Sequence, residues 1–309
     1  MSDSNNNVKT ITIIGLGLIG GSLVKIFKSC GYTIYGITQN QSTINTALNE
    51  KVIDKGSVEL QPELLNNSEL VFIATPLSSI EHYIKALGKI IKEKVIVSDV
   101  GSTKSEITKT AKKYLPANVT FIGGHPMAGT EKNGYSASFS GLFKNCAWIM
   151  TPFENNRNSR EIEILKQVIA ETGAKPIITD PEIHDKAVAL ISHLPLLISA
   201  GLCHLVKGIE NDNLRELTSL MASSGFRDMT RIAGGNSKLS TDLLRSNFSE
   251  LAQCTLKYYK ELEILLNLSK EKPEKLENIL IEISNWRRDL YDSEGKNKSL
   301  KNTSINQKV

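Results

Sequence analysis

The segment at residues 123–131, Gly-Gly-His-Pro-Met-Ala-Gly-Thr-Glu, has the composition best suited to chemistry in this chain. It places the imidazole of His125 between flexible glycines and a rigid proline. A histidine before a proline is by itself typical of a loop residue with an ordinary hydrogen bond. A neutral imidazole, with an unperturbed pKa of about 6.5, can also accept a proton near neutral pH. Because a nucleotide-binding signature precedes the segment, we interpret His125 as a base beside a redox cofactor.

That signature is a glycine-rich turn near the start of the chain. A β-branched run at residues 9–14 leads into the turn, and residues 22–30 then have the apolar spacing of a helix. Such a turn lets the backbone approach a pyrophosphate closely, and the helix N-terminus offers free amides to phosphate. The predicted cofactor contacts in the turn are Gly15, Gly17, Leu18, Ile19 and Gly20.

The residues after a second predicted strand, at 33–37, bear on the choice of cofactor. An NAD site usually carries an aspartate or glutamate there, which accepts a hydrogen bond from the ribose 2′-hydroxyl. This chain has Thr38 and Gln39 instead, followed by three further neutral polar residues. Neutral donors without a carboxylate favour the 2′-phosphate of NADP, while the lack of an arginine leaves the use of NAD open. We predict NADP, bound in part by Thr38 and Gln39.

Two further apolar runs, at residues 69–74 and 94–98, predict parallel strands. Ligands of open parallel sheets bind beyond the carboxyl ends of the strands. The loops after these runs, and the loop that holds His125 after a strand at 119–122, are therefore expected to meet in one crevice. The predicted cofactor contacts there are Thr75, Pro76, Asp99 and Ser102. Asp99 and Ser102 are equally suited to cap the helix that begins near residue 105.

Composition is that of an ordinary soluble protein, with 40% hydrophobic and 23% charged residues in a 309-residue chain. The net charge of +4 comes without a basic stripe, which favours small anionic ligands over nucleic acid. Four scattered cysteines predict buried thiols in a reducing compartment and no metal site. No run approaches the roughly 20 apolar residues of a membrane span. We expect a cytoplasmic protein that binds no membrane.

The pattern of elements changes near residue 180. Before it, apolar runs alternate with helical stretches, which indicates a doubly wound α/β sheet of the Rossmann type over residues 8–180. After it come helical periods at 184–207, 213–223, 240–268 and 273–292. We predict an all-helical domain over residues 181–292 and a disordered polar tail at 293–309.

The helical domain contains an apolar stretch at residues 194–205 that predicts a helix buried all round. Such a helix lies at the centre of a domain or at a subunit interface, so we expect a homodimer. His193 precedes the stretch, where a buried histidine is more often structural. Pro195 is expected to kink the helix because it lacks a backbone N–H.

Two arginines of this domain, Arg227 and Arg231, are four residues apart on a predicted helix. Spacing of this kind places both on one face, and at least one could bind a carboxylate in bidentate fashion. The alternative for either arginine is a salt bridge to Asp228 or to a neighbouring helix.

Six segments, in order and at compatible spacing, resemble the prephenate and arogenate dehydrogenases of tyrosine biosynthesis. They lie at residues 15–20, 99–104, 123–131, 180–185, 192–195 and 226–233. The strand end at 38–39 and the run at 234–239 look most like the NADP-using arogenate dehydrogenases of the cyanobacterial type. The resemblance implies oxidative decarboxylation of L-arogenate to L-tyrosine with NADP. Conversion of prephenate to 4-hydroxyphenylpyruvate is the alternative.

The resemblance also implies roles for individual residues. His125 would take the proton of the ring hydroxyl, and Ser102 would hydrogen-bond the same oxygen. Arg231 would bind a substrate carboxylate. The remaining substrate contacts would be His193, Glu131 and Thr130.

Two other functions fit parts of the sequence. A 3-hydroxyacid dehydrogenase has the same pair of domains, but it typically uses a catalytic lysine near a Gly-Gly-Xaa-Gly segment, and this chain has no lysine in such a setting. A sensor that binds NADPH without turnover would use the helical dimer to signal, yet nothing resembling an effector module is appended.

Overall fold

A computed structural model describes residues 8–154 and 157–292 of the chain. The chain forms two compact units, one ending at Ala252 and the other beginning at Gln253. The division that the sequence predicts between residues 180 and 181 stays a prediction. The polar tail predicted at 293–309 lies outside the described residues.

The first unit is built on an eight-stranded sheet with the order β3-β2-β1-β4-β5-β6-β7-β8. Every neighbouring pair is parallel except β6 with β7, which is antiparallel. The strands are β1 (Thr10–Ile14), β2 (Thr33–Ile37), β3 (Lys55–Ser57), β4 (Leu70–Ile73), β5 (Val95–Asp99), β6 (Val119–Pro126), β7 (Ala147–Pro152) and β8 (Lys175–Ile178).

Helices cover both faces of this sheet. They are α1 (Leu18–Ser29), α2 (Gln41–Asn49), α3 (Pro62–Asn66), α4 (Leu77–Ile90), α5 (Ser105–Tyr114) and α6 (Arg160–Glu171). The side chains of strand β4 point alternately into two separate hydrophobic cores, one on each face of the sheet. Leu70 and Phe72 of β4 pack with α1 and α6, whereas Val71 and Ile73 pack with α4 and α5. A strand that is buried on both faces needs a continuous apolar run, which explains the pattern in the sequence.

The direction of strand addition changes between β1 and β4, which are hydrogen-bonded neighbours. In open α/β sheets a ligand crevice forms outside the carboxyl ends of the strands at such a switch point. Gly15 follows β1 there with a φ of 95°, a conformation that favours glycine. A Cβ atom on Gly20 would lie against the carbonyl oxygen of Gly15, so α1 can pack on the turn only when residue 20 is glycine.

After β8 the described chain continues in helices alone, which confirms the α/β sheet with a helical C-terminal region. They are α7 (Pro181–Val188), a π-helical turn (Ala189–His193), α8 (Leu194–Lys207), α9 (Asp212–Met221), α10 (Ser224–Thr230), a 3₁₀ turn (Arg231–Gly234), α11 (Ser237–Ser246), α12 (Phe248–Glu271) and α13 (Pro273–Asp292). The π-helical turn lies directly before α8, and Pro195 is in the first turn of that helix, so the kink expected at Pro195 stays a prediction.

Two predicted elements differ from the structure. Strand β6 extends to Pro126, so His125 lies within the strand rather than in the loop after it, and it pairs with Ile149 of β7. The helix predicted at residues 240–268 is broken between α11 and α12 at Asn247. The break occurs because the buried Asn247 side chain bonds the backbone of Asp185, at 2.7 Å, and its own backbone leaves the helical conformation.

The apolar helix α8 is buried only in its first half. Leu194 and Leu196 are buried, but Leu205 has 72% of its surface exposed in the single chain. The prediction that this helix is buried on all sides was therefore wrong for the isolated chain. The expectation of buried cysteines was wrong for Cys30, which is exposed, and holds for Cys254.

One helical segment of the described chain, Pro181–Lys207, contains an 18-residue stretch with a mean hydropathy of 1.8 and is by length and composition able to span a membrane. The expectation that no such run exists was therefore wrong. The segment nevertheless contains His184 and His193, which are buried and bonded to side chains elsewhere in the first unit. Such polar contacts are typical of a helix in a folded domain, and length alone is weak evidence for a span.

We expect Gly20→Ala to lower the free energy of unfolding by about 2 kcal/mol or more, because its methyl group overpacks the turn. Gly17→Ala is the matched control, because a Cβ at Gly17 meets nothing within 4 Å. Both changes affect the unfolded chain alike. Urea unfolding measures the difference, and equal stability of the two variants would contradict the packing of α1 on the turn.

Candidate active site

The turn between β1 and α1 has free donors for an anionic ligand. Helix α1 begins at Leu18 with no side-chain cap and no acidic residue in its first turn. The space beside Gly17 is open. Across the switch point, the buried hydroxyl of Thr75 has no hydrogen-bond partner in the described chain. Exposed amides at a helix N-terminus, with an unpartnered hydroxyl nearby, fit the pyrophosphate and ribose of a dinucleotide.

The remaining predicted contacts of the turn are placed around this cradle. Leu18 and Ile19 are partly buried in the first turn of α1, and Pro76 is exposed where α4 begins. The amide of Gly15 donates to the carbonyl of Ile37 at 2.7 Å, which holds the end of β2 beside the glycine turn. The roles of these residues as cofactor contacts stay predictions.

The end of β2 presents neutral groups where the ribose is expected. Thr38 is partly buried and Gln39 is exposed. The side chain of Asn40 caps α2, because its Oδ1 accepts hydrogen bonds from the backbone amides of Ser42, at 2.9 Å, and Thr43, at 3.2 Å. Because these two amides are used within the helix, Thr38 and Gln39 are the groups that remain for a 2′-phosphate.

A buried ion pair lies below the crevice, between Lys104 and Asp99 at the end of β5, and both side chains are fully buried. Burial lowers the pKa of Lys104, although the Asp99 carboxylate acts in the opposite direction. The Lys104 ammonium also donates to the Gly124 carbonyl at 2.7 Å. Asp99 accepts from the amides of Gly101, at 2.7 Å, and Gly124, at 3.1 Å. The pair thus ties β5 and β6 together one residue before His125.

This arrangement changes the interpretation of Asp99 and Ser102. Neither caps α5, so the capping alternative was wrong. The amides of Lys104 and Ser105 instead donate to the Asp185 carboxylate, both at 2.8 Å. Because the Asp99 side chain is inaccessible and accepts from Lys104, Gly101 and Gly124, its contact with a cofactor stays a prediction. Ser102 is half-buried in the loop that leaves β5.

His125 is joined to a second histidine and a carboxylate. Its Nδ1 lies 2.8 Å from Nε2 of His184, and Nδ1 of His184 lies 2.8 Å from Oδ1 of Asp185. Burial alone would raise the pKa of Asp185, but hydrogen bonds from His184 and from the start of α5 hold it below its ordinary value. The carboxylate is therefore ionised at neutral pH.

The surroundings of His125 oppose its protonation. Burial, the positive Lys104 and the rings of His184 and His193 lower its pKa well below the ordinary value, while Asp185 acts in the opposite direction. The imidazole is therefore neutral at physiological pH, the form that can accept a proton.

His193 lies in the same buried region. Its side chain is 1% exposed, and its Nδ1 is 3.3 Å from the amide nitrogen of Asn247. Burial lowers its pKa. Asn247 also donates to the backbone carbonyl of Asp185, so one amide connects the histidine to the Asp185 segment.

The predicted substrate contacts on the surface form local pairs. Arg231 and Glu131 form an exposed ion pair with 3.6 Å between Nη1 and Oε1. The Thr130 hydroxyl bonds within its own turn, to the carbonyl of Lys132. Nε of Arg227 lies 3.5 Å from Oδ1 of Asp228, which is the salt bridge given as the alternative role for this arginine. Their roles toward a substrate stay predictions.

The continuous helical face expected for the two arginines is not formed. Arg227 lies in α10, which ends at Thr230, and Arg231 begins the 3₁₀ turn that follows.

Sequence reasoning gave no role to four polar residues of this region, which are Lys104, His184, Asp185 and Asn247. Three of them lie in segments that carry the family resemblance. Asn247 lies in a stretch that reads as continuous helix, and only its helix-breaking tendency could have indicated a boundary there.

A glycine turn at a sheet switch point, with a neutral imidazole at the end of a neighbouring strand, defines a Rossmann-type dehydrogenase. Residues 24–178 match the model of the prephenate dehydrogenase nucleotide-binding domain, and residues 180–282 match that of its dimerization domain. The prephenate dehydrogenase of Bacillus subtilis is 33% identical over 262 residues, which are 84% of this chain and 70% of that protein. The chain belongs to the prephenate and arogenate dehydrogenase family.

Two solved structures extend the similarity to nearly the whole chain. Synechocystis arogenate dehydrogenase superposes with a TM-score of 0.82 at 33% identity, and the match covers 91% of this chain and 99% of that one. Prephenate dehydrogenase from Aquifex aeolicus, in complex with hydroxyphenyl propionate and NAD⁺, gives 0.83 at 26% identity, with 93% and 100% covered. The chain is thus a pyridine-nucleotide dehydrogenase of tyrosine biosynthesis.

We expect Lys104→Met to lower the free energy of unfolding by about 3–5 kcal/mol, because it leaves the Asp99 carboxylate buried without its cation. Adding Asp99→Asn should restore part of this loss. Lys109→Met removes an exposed partner of Glu106 on α5, and a change below about 1 kcal/mol is expected for this control. Urea unfolding of the variants measures these values. Wild-type stability of Lys104→Met would disprove the importance of the pair.

Proposed function

We propose that this protein catalyses the oxidative decarboxylation of L-arogenate to L-tyrosine with NADP. The observation that carries the proposal is the neutral His125 imidazole at the end of β6, on the same sheet edge as the open glycine turn. The match to Synechocystis arogenate dehydrogenase supports this substrate. The alternative is conversion of prephenate to 4-hydroxyphenylpyruvate, which the similarity to prephenate dehydrogenases supports.

The chemistry requires a base and an electron acceptor. The bound dinucleotide supplies the acceptor for the hydride of the hydroxyl-bearing ring carbon. His125 takes the hydroxyl proton as the carbon–oxygen double bond forms. When the ring carboxylate leaves as carbon dioxide, its electron pair enters the ring and gives a phenolate. His125 then returns the proton to that oxygen, so the substrate loses one hydride and one carbon dioxide, with no net proton change.

Other chain residues complete the proposed site. Ser102 hydrogen-bonds the reacting oxygen from the loop after β5. Arg231 binds a substrate carboxylate, with Glu131, Thr130 and His193 orienting the substrate or these partners. Because formation of an aromatic ring drives the reaction, the main contributions of the protein are positioning and proton transfer.

The preference for NADP rests on the end of β2. The groups facing the expected ribose, Thr38 and Gln39, carry no negative charge that would repel a 2′-phosphate. NAD is the alternative, which the NAD⁺ complex of the Aquifex aeolicus prephenate dehydrogenase supports.

A homodimer through the helical region is part of the proposal. Leu205 and Leu220 are 72% and 78% exposed in the single chain, and Met221 is 70% exposed. Such a surface is costly to leave in water, and a matching copy of the chain would cover it. The similarity of residues 180–282 to a dimerization domain supports this. We also propose that the dinucleotide-binding domain ends and the helical domain begins near residue 180. We further propose that the protein is cytoplasmic.

An assay of purified protein with arogenate and prephenate, each combined with NADP and NAD, tests the function through the absorbance of the reduced cofactor. We expect the highest kcat/KM for arogenate with NADP. Thr38→Asp should reverse the cofactor preference, since its carboxylate repels the 2′-phosphate and accepts from a ribose hydroxyl. Thr46→Asp, at an exposed threonine further along α2, is the control. Turnover of simple hydroxyacids only would reject the proposal.

The role of His125 is tested by His125→Asn and by the pH profile. The variant should lose about two to four orders of magnitude in kcat while its affinity for NADP changes little. Because the lowered pKa keeps the base neutral, wild-type kcat/KM should persist above the folded pKa and fall only below pH 6.5. Wild-type turnover of the variant, or loss of activity already at pH 7, would refute the assignment.

A further inference from the structure

Two residues without an assigned role, His184 and Asp185, stand in line behind His125. Nδ1 of His125 lies 2.8 Å from Nε2 of His184, and Nδ1 of His184 lies 2.8 Å from Oδ1 of Asp185. The His184 side chain is only 2% exposed, and that of Asp185 5%. Buried polar groups at these distances are hydrogen-bonded to one another. Because both side chains are buried, they do not contribute to a contact on the protein surface.

The direction of these bonds follows from what each atom can do. An ionised carboxylate only accepts, so His184 must donate to Asp185 through Nδ1. With one proton on its ring, His184 then presents the lone pair of Nε2 to His125. His125 must donate through Nδ1, and its own lone pair is therefore on Nε2.

The carboxylate at the end of the line is itself held in place. Both of its oxygens accept backbone amides at the start of α5, from Lys104 and Ser105. The carbonyl of Asp185 accepts from Asn247. Because these bonds prevent rotation of the carboxylate, the orientation of the His184 ring is also determined.

We propose that His184 is a positioning residue that sets the tautomer and the ring orientation of His125, with Asp185 as its anchor. The inference rests on the proposed function, because a tautomer matters only if His125 acts as a base. The proton of the substrate hydroxyl forms its new N–H bond at Nε2 of His125. The resulting imidazolium still donates through Nδ1 to His184, and the Asp185 carboxylate stabilises the positive charge across one intervening ring.

The charges around this line act on both of its ends. Lys104 disfavours protonation of His125, as does His193, whereas Asp185 favours it. Asp99 neutralises Lys104 from β5. Removing the His184 ring therefore removes a hydrogen-bond acceptor and the connection to the Asp185 carboxylate, which favours the imidazolium.

The test compares His184→Phe, which keeps a buried ring without an acceptor, with His184→Gln, whose amide oxygen can still accept from His125. We expect kcat to fall about 10- to 100-fold in His184→Phe, a typical size for loss of an orienting partner. His184→Gln should recover most of this loss. Neither change should alter the affinity for NADP, measured by fluorescence titration. His82→Phe, at an exposed histidine of α4, is the control.

A second readout does not depend on turnover. The chain has five histidines, and selective ¹⁵N labelling with NMR reports which nitrogen of each ring carries the proton. We expect His125 to be protonated at Nδ1 in the wild type and in His184→Gln, and to mix tautomers in His184→Phe. Protonation of wild-type His125 at Nε2, or an unchanged tautomer and kcat in His184→Phe, would overturn the inference. The expected tautomers in a protein with no turnover would instead reject the proposed function alone.

Discussion

The buried ion pair of Lys104 and Asp99 is the interaction on which the site depends. Two opposite charges with no exposure to water are tolerated only when their remaining hydrogen-bonding capacity is also used. The backbone near Gly101 and Gly124 supplies those bonds. The end of β5 and the end of β6 are therefore held in one arrangement. The imidazole that follows Gly124 has a defined position, and its pKa is lowered by burial and, to a smaller extent, by the nearby positive charge of Lys104.

The same region explains why the first compact unit extends well past the α/β sheet. Asp185 on α7 caps α5 across 80 residues of sequence, and Asn247 bonds back to Asp185 from the end of α11. Helices that follow the last strand thus complete the hydrogen bonds of the sheet region. Because these contacts are polar and buried, separating the helices from the sheet would leave several donors and acceptors unsatisfied, which is costly. The change in sequence pattern near residue 180 therefore need not separate two parts of the chain that unfold independently.

Much of the fold was predictable because buried parallel strands and glycine turns leave strong local signals. The second strand matches its predicted bounds, and the glycine turn lies where the motif required. The failures have a common cause. Continuation of β6 through His125 depends on pairing with β7, and the break at Asn247 depends on a partner 62 residues away. Lys104 and Asp185 read as ordinary polar residues of a loop and a helix, since burial of a charge is decided by tertiary contacts.

The π-helical turn at Ala189–His193 has a geometric effect on the two buried histidines near it. Nine residues separate His184 from His193, and on a regular helix this is about two and a half turns, which would point the side chains in opposite directions. The wider turn takes up additional residues and rotates the following helix relative to α7. His193 thereby comes round to Asn247, which also bonds the carbonyl next to His184. A single-residue deletion in this turn would therefore rotate α8 about its axis. This rotation would move the His193 imidazole out of the interior without changing any side chain that contacts it.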